Sequence, residues 1–170
     1  TEIIVSETIS NKPTPEEIRE ILTNAGASEN AIAKASAAVG KTTVARVIEV
    51  QRITDANGLV TYKTVMTLRI KNPGSKKLGS IKIIEEIPKN IAASAAEITS
   101  VHAFKVLVAD PIIEFTVDSL LPNGSTVITY TVDKKIGETV AEAWTEPPIT
   151  ADLSEEEPCA GVVCPTETCK

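Results

Sequence analysis

The sequence predicts a mainly β protein, an antiparallel β-sandwich with a helical hairpin near its N-terminus. Three observations carry this. Thr, Val and Ile together make up 56 of the 170 residues, and β-branched side chains favour strands. From Thr42 to Asp133 the apolar residues recur with period two. Gly, Pro and Asn clusters punctuate that region at short intervals, as the turns of a sandwich require.

The elements follow in order. Residues 1–10 read as a strand, with Ile3, Val5 and Ile9 on one face and Ile4 on the other. Asn11-Lys12-Pro13 breaks it. Thr14-Pro15-Glu16-Glu17 is a helix start: Thr14 caps, Pro15 takes the first helical position and Glu17 closes a capping box. Ile18, Ile21, Leu22 and Ala25 form one apolar stripe, ended by Gly26. Ser28 starts a second helix with Ile32, Ala35 and Val39 on one face, ending at Gly40. Its alanine-rich surface suits close approach to another layer. The helical hairpin thus occupies 14–40.

Strands are then expected over 42–54 and 59–71, joined by a turn at Asp55-Ala56-Asn57-Gly58. In the second, Val60, Tyr62, Met66, Leu68 and Ile70 share the core face, and Thr61, Lys63, Thr67, Arg69 and Lys71 the wet one. Asn72-Pro73-Gly74-Ser75 turns the chain into a strand over 78–87, stopped by Pro88. Residues 89–103 read as irregular with a short helical turn. Strands follow at 104–109, 112–120 and 125–133, and a last short one at 139–144. The expected core contains Leu68, Ile70, Ile83, Phe115, Val117, Ile128 and Tyr130. The sandwich domain spans 1–146, and residues 147–170 form an acidic tail carrying Pro and Cys.

Charge narrows the function classes. The net charge is −6, but the stretch 145–170 holds −5 of it, leaving the body near neutral. No basic stripe exists, so phosphate-driven binding to nucleic acid is not expected. No apolar run approaches the roughly 20 residues needed to span a bilayer as a helix. The chain starts at Thr1, which suggests a removed signal segment or an excised fragment. Asn123-Gly124-Ser125 is an N-glycosylation acceptor pattern in a surface turn, making Asn123 the candidate attachment site.

Cys159, Cys164 and Cys169 are spaced C-x4-C-x4-C. Three thiolates without a nearby His or fourth Cys do not close a tetrahedral zinc site within one chain. A disulfide knob is the preferred reading, and it points outside the reducing cytosol. The odd count leaves one cysteine free, bridged to another chain, or paired with a cysteine beyond Lys170; the last is favoured.

Catalytic signals are absent from the sequence. His102 stands alone, without a paired carboxylate and nucleophile, and reads as a surface or packing residue. Glu85 and Glu86 are neighbours on a strand, so they point to opposite faces and do not flank one bond. Glu155-Glu156-Glu157 lacks the Asp/Asn/Gly spacing of a calcium loop. Trp144 reads either as an interface anchor or as a plug at one end of the sandwich. No enzyme, cofactor or metal site is therefore expected.

The runs LRIKNPGSKKLGSIKIIEEIPKNIAASAAEI and VLVADPIIEFTVDSLLPNGSTVITYTV, within 68–132, resemble Ig-like modules of archaeal cell-surface proteins, of S-layer, filament or adhesin type. The closing CAGVVCPTETC resembles the start of a Cys-rich module found after such domains. The resemblance implies an Ig-like sandwich and an extracellular, cell-surface setting. Together these readings predict a structural subunit that assembles with itself into a filament or surface layer. The N-terminal strand, through Ile3, Val5 and Ile9, is expected to pair with a neighbour's sheet edge. The alternative is an adhesion or binding domain excised from a larger surface protein, with other cell-surface proteins as partners.

Overall fold

A computed structural model of the chain describes residues 1–9, 12–144 and 147–156. In chain order its elements are β1 (Glu2–Ile9), α1 (Pro15–Asn24), α2 (Glu29–Ala38), β2 (Thr43–Thr54), β3 (Val60–Lys71), β4 (Lys77–Glu86), β5 (Ile98–Ser100), β6 (Phe104–Val108), β7 (Ile112–Val117), β8 (Ser125–Val132), α3 (Glu138–Ala143) and β9 (Ile149–Glu156). A 3₁₀ turn, Ala95–Glu97, precedes β5. The strands form two antiparallel sheets, β1-β2-β3-β8-β5 and β6-β7-β4-β9.

The period-two pattern sets the registers. Ile48 lies opposite Met66, and Arg46 opposite Leu68, which in turn lies opposite Ile128. Partners in register share a face, so one side of the five-stranded sheet becomes apolar. That face meets Ile81, Ile83, Ile113 and Phe115 of the second sheet in one continuous core. Of the expected core residues, Leu68, Ile70, Ile83, Phe115, Ile128 and Tyr130 are buried, and Val117 is half-buried against them. Asp55 shapes the β2–β3 turn by accepting from the amides of Asn57 and Leu59, and Gly58 supplies the positive φ of 82°.

The four-stranded sheet is buried on both sides. Ile84, Ile112 and Ile149 point away from the sandwich core and meet Ile18, Ile21 and Leu22 of α1 and Ile32 and Ala35 of α2. The consecutive pairs Ile83-Ile84 and Ile112-Ile113 serve this purpose, since neighbours on a strand feed opposite faces. Ala35 is fully buried where α2 lies along β9. The caps are those the sequence specifies. Thr14 Oγ1 accepts from the Glu17 amide at 3.2 Å while Glu17 Oε2 accepts from the Thr14 amide at 3.0 Å. Ser28 Oγ accepts from the Ala31 amide. Thr14→Ala is expected to lower stability by about 1 kcal/mol, read as a shift in the urea midpoint with unchanged slope.

Three expectations are corrected. Residues 139–144 are not a strand: α3 covers Glu138–Ala143. Val140, Ala141 and Trp144 are spaced by three and four, which is helical, and this outweighs the β-branched Thr139-Val140 pair. The tail does not begin at 147, because β9 pairs antiparallel with β4, Ile149 opposite Ile84. Ile149, Ala151 and Leu153 alternate, a signal that the flanking prolines and acids obscured. Finally, Ile3 and Ile9 do not share a face. A register shift between Ile3 and Val5 places Ile3 opposite Gln51 and Ile9 opposite Arg46. A bulge of this kind reverses the alternation on one side of it. Ile4 accordingly packs against the core, and Ile3 is 54% exposed.

Candidate functional site

Two features stand apart from ordinary packing: a charged cluster inside the sandwich, and the open edges of the five-stranded sheet. The cluster draws on three strands and the end of α3. On β2, Arg46 lies in phase with Ile48 and Val50, so the apolar alternation carries it inward. On β4, Glu85 lies in phase with Ile81 and Ile83 and is carried inward too. Both side chains are 0% exposed. Arg46 Nη1 donates to Glu85 Oε1 at 2.7 Å, and Nη2 donates to the Trp144 carbonyl at 3.4 Å. The Arg46 guanidinium stacks 3.6 Å from the centre of the Trp144 ring. Tyr130 Oη donates to Glu85 Oε2, and Trp144 Nε1 donates to the Glu86 carbonyl.

Burial pushes the Glu85 carboxyl above its ordinary range, and Arg46 and the Tyr130 hydroxyl offset that only in part. Burial also holds the Tyr130 hydroxyl well above 10.0, helped by the neighbouring Glu85. A group raised in the folded state stabilises the fold below its unfolded pKa and loses that contribution as pH rises through the folded value. The Tyr130 contribution is therefore present up to about pH 10 and lost above it. Urea midpoints of the wild type should fall more steeply than those of Tyr130→Phe as pH is raised from about 9 to 11.5. Parallel slopes for the two proteins would remove Tyr130 from the alkaline transition.

Arg46, Glu85 and Tyr130 are fully buried, so the cluster is part of the packed core. Trp144, fully buried over Arg46, plugs the core. Glu85 and Glu86 do point to opposite sides, Glu85 buried and Glu86 half-buried. His102 is half-buried: its amide donates to Ser100 Oγ, and its Nδ1 accepts from the Thr129 amide at 3.4 Å. Among the described residues no group of three or more His, Cys, Asp or Glu side chains could hold a metal ion. Nor is any helix there long and apolar enough to cross a membrane.

The sheet edges bear on assembly. β1 lies at one edge, paired antiparallel with β2 of its own chain, and among the described residues no strand pairs with its outer side. At the opposite edge β5 is only three residues long and covers β8 from Tyr130 to Val132. Asn123 is exposed at a turn, with φ of 59°. Buried Asn72 holds that turn in place. Its amide donates to the Gly124 carbonyl, and its Nδ2 lies 2.7–3.3 Å from the carbonyls of Lys76, Leu120 and Leu121. A Cβ at position 124 would come within 2.8 Å of the Leu121 carbonyl, so the middle residue of the acceptor triplet must be glycine. Cys159, Cys164 and Cys169 lie outside the described residues.

Sequence reasoning missed the Arg46–Glu85 pair. The signal was present: one charge of each sign interrupts the apolar face of two strands otherwise committed to the core. No protein-family model matches the chain, and no curated protein or solved structure matches it either.

Proposed function

We propose that the chain is an extracellular structural subunit that assembles with itself into a filament or surface layer. It would do so as an Ig-like sandwich carrying an αα-hairpin on its second sheet. The observation that carries this reading is β1: a strand at a sheet edge, with no strand among the described residues on its outer side, joined to the rest through the segment before α1. Such an edge can pair with another chain where it is regular, as β1 is from Val5 to Ile9 past its bulge. The exposed Asn123 acceptor triplet and the C-x4-C-x4-C spacing support the extracellular setting.

The test removes residues 1–9 and compares sedimentation and negative-stain micrographs with the full chain. Assembly predicts multimers for the full chain and a folded, non-assembling species after deletion. A full chain that remains monomeric at every concentration would defeat the reading.

A further inference from the structure

Of the asparagines in the chain, only Asn57 and Asn123 are followed by glycine. That neighbour matters chemically. The main-chain nitrogen after an asparagine can attack the side-chain amide carbon, and asparagine is accordingly a thermolabile residue. A β-carbon on the attacking residue obstructs the approach, and glycine has none. The two pairs sit in different surroundings. β1 pairs with β2 only as far as Arg52, and β8 pairs with β3 only from Thr64. The β2–β3 ribbon therefore runs beyond both neighbouring strands. Asn57 and Gly58 are exposed at its tip, and a Cβ built on Gly58 would meet nothing within 4 Å. The Gly58 amide donates to the Asp55 carbonyl at 3.1 Å, and the other bonds that shape the tip also fall between Asp55 and Leu59. A turn held only by its own bonds belongs to the low-cost end of local opening.

Asn123 is exposed as well, but its neighbour is held. The Gly124 amide donates to the Leu121 carbonyl at 2.8 Å, and the Gly124 carbonyl accepts from the Asn72 amide at 2.9 Å. Asn72 is buried and also donates through Nδ2 to the carbonyls of Leu120 and Leu121. Asn123 is the one described non-glycine residue with a positive φ, 59°. Swinging the Gly124 nitrogen onto the Asn123 side chain would disturb bonds to a distant part of the chain, and the cost of opening rises with each of them.

We propose that Asn57 is a site of spontaneous deamidation in the folded protein, and that Asn123 is spared. The Gly58 nitrogen, having lost its proton to base, attacks the Asn57 Cγ. A C–N bond forms, the bond to the side-chain nitrogen breaks, and that nitrogen takes up a proton and leaves as ammonia. Water then opens the five-membered succinimide. Attack at Cγ leaves aspartate. Attack at the main-chain carbonyl carbon leaves isoaspartate, with the chain now running through Cβ and Cγ. Nothing is oxidised or reduced, and water is the only co-reactant. Either product places a second carboxylate close to Asp55. The isoaspartate also lengthens the main chain between residues 57 and 58, at a turn whose bonds depend on its tightness. Leu59 and Val60, the next residues, are 63% and 43% exposed, so the change stays outside the core. This inference is independent of the self-assembly reading. It bears on the acceptor triplet in one respect: Asn123 keeps the amide nitrogen to which a glycan would be joined.

The test holds the unglycosylated full chain in mildly alkaline heavy-oxygen water, one sample folded and one unfolded in urea at the same pH. Tryptic peptides 53–63 and 106–134 report the two sites separately. The heavy oxygen marks conversion that precedes digestion in ordinary water. The proposal expects peptide 53–63 from the folded chain to split into aspartate and isoaspartate forms, each with one heavy oxygen, the latter a substrate for an isoaspartate-specific methyltransferase. Peptide 106–134 should convert at least about tenfold more slowly in the folded chain, because its turn must shed several tertiary hydrogen bonds to react. In urea the two rates should converge. Absence of conversion in peptide 53–63 from the folded chain would overturn the site at Asn57. Equal rates at the two sites in the folded chain would overturn the sparing of Asn123. Asn72→Ala adds a second arm: conversion at Asn123 should rise while that at Asn57 stays as in wild type, and an unchanged Asn123 rate would remove Asn72 as the restraint. Should that variant fail to fold, the comparison of folded and urea-treated wild type decides alone.

Discussion

Replacing Arg46 with Leu should destabilise the protein by about 3–5 kcal/mol, among the largest effects of any single substitution in the chain. The Coulomb attraction between Arg46 and Glu85 is not the main reason. Both charges are fully buried, and much of their attraction is offset by the loss of hydration. The loss comes from what stays behind: a carboxyl in an apolar core, with Tyr130 as its remaining described hydrogen-bond partner. The effect should depend on pH in a defined sense. Glu85 is already raised by burial, and losing Arg46 raises it further. The carboxyl can then escape its penalty by binding a proton, so the variant should lose less stability at about pH 5 than at about pH 8. A loss independent of pH would mean that Arg46 acts through packing alone. Replacing all three polar partners together, Arg46→Met, Glu85→Leu and Tyr130→Phe, should recover most of the stability, because no buried charge is then left unpaired.

Trp144→Ala carries the second large effect, again about 3–5 kcal/mol. The indole is 1% exposed, so its removal opens a cavity between α3 and the core. It also uncovers the face of the Arg46 guanidinium, 3.6 Å away, where a desolvated cation–π contact contributes on the order of 2 kcal/mol. Trp144→Phe separates these terms. It keeps an aromatic face but loses the Nε1 hydrogen bond to the Glu86 carbonyl, whose net worth is about 1 kcal/mol. Since Arg46 and Trp144 touch, their substitutions should not add. Thermal melts of the two single variants and the double variant measure the coupling, and strict additivity would show that the stacking contributes nothing.

The alternating strands were legible in the sequence because one side of the five-stranded sheet faces water. Thr67, Arg69 and Lys71 mark that face as clearly as Met66, Leu68 and Ile70 mark the core. Both helices were legible from their caps and their apolar stripes. Legibility failed where a local rule met a tertiary one. Ile83-Ile84 and Ile112-Ile113 break alternation because helices cover the second face, and periodicity within a strand does not announce a third layer. β9 was hidden by acids and prolines, although its pairing with β4 is as extensive as that of an ordinary sandwich strand. The bulge in β1 leaves no mark in composition. The buried pair was legible only in halves: Arg46 and Glu85 each look like an exception on their own strand, and only the sheet-to-sheet packing shows that they answer each other.

The contacts around Trp144 also bear on when the chain can finish folding. The Arg46 bond to the Trp144 carbonyl joins residues 98 apart, and the buried hydroxyl pair Thr42–Thr150 joins residues 108 apart. β4, near mid-chain, must wait for β9 before both its sides are paired. During synthesis from the N-terminus, α1, α2 and the β2–β3 ribbon emerge long before their partners. Until residue 156 is out, β4 keeps a bare edge, and until Trp144 is out, Arg46 lacks its aromatic cover. A topology dominated by such distant pairings folds slowly. Its last cooperative step is therefore placed after translation of nearly the whole segment, leaving an interval in which the nascent chain is still thread-like and open to capture by the machinery that handles unfolded polypeptides.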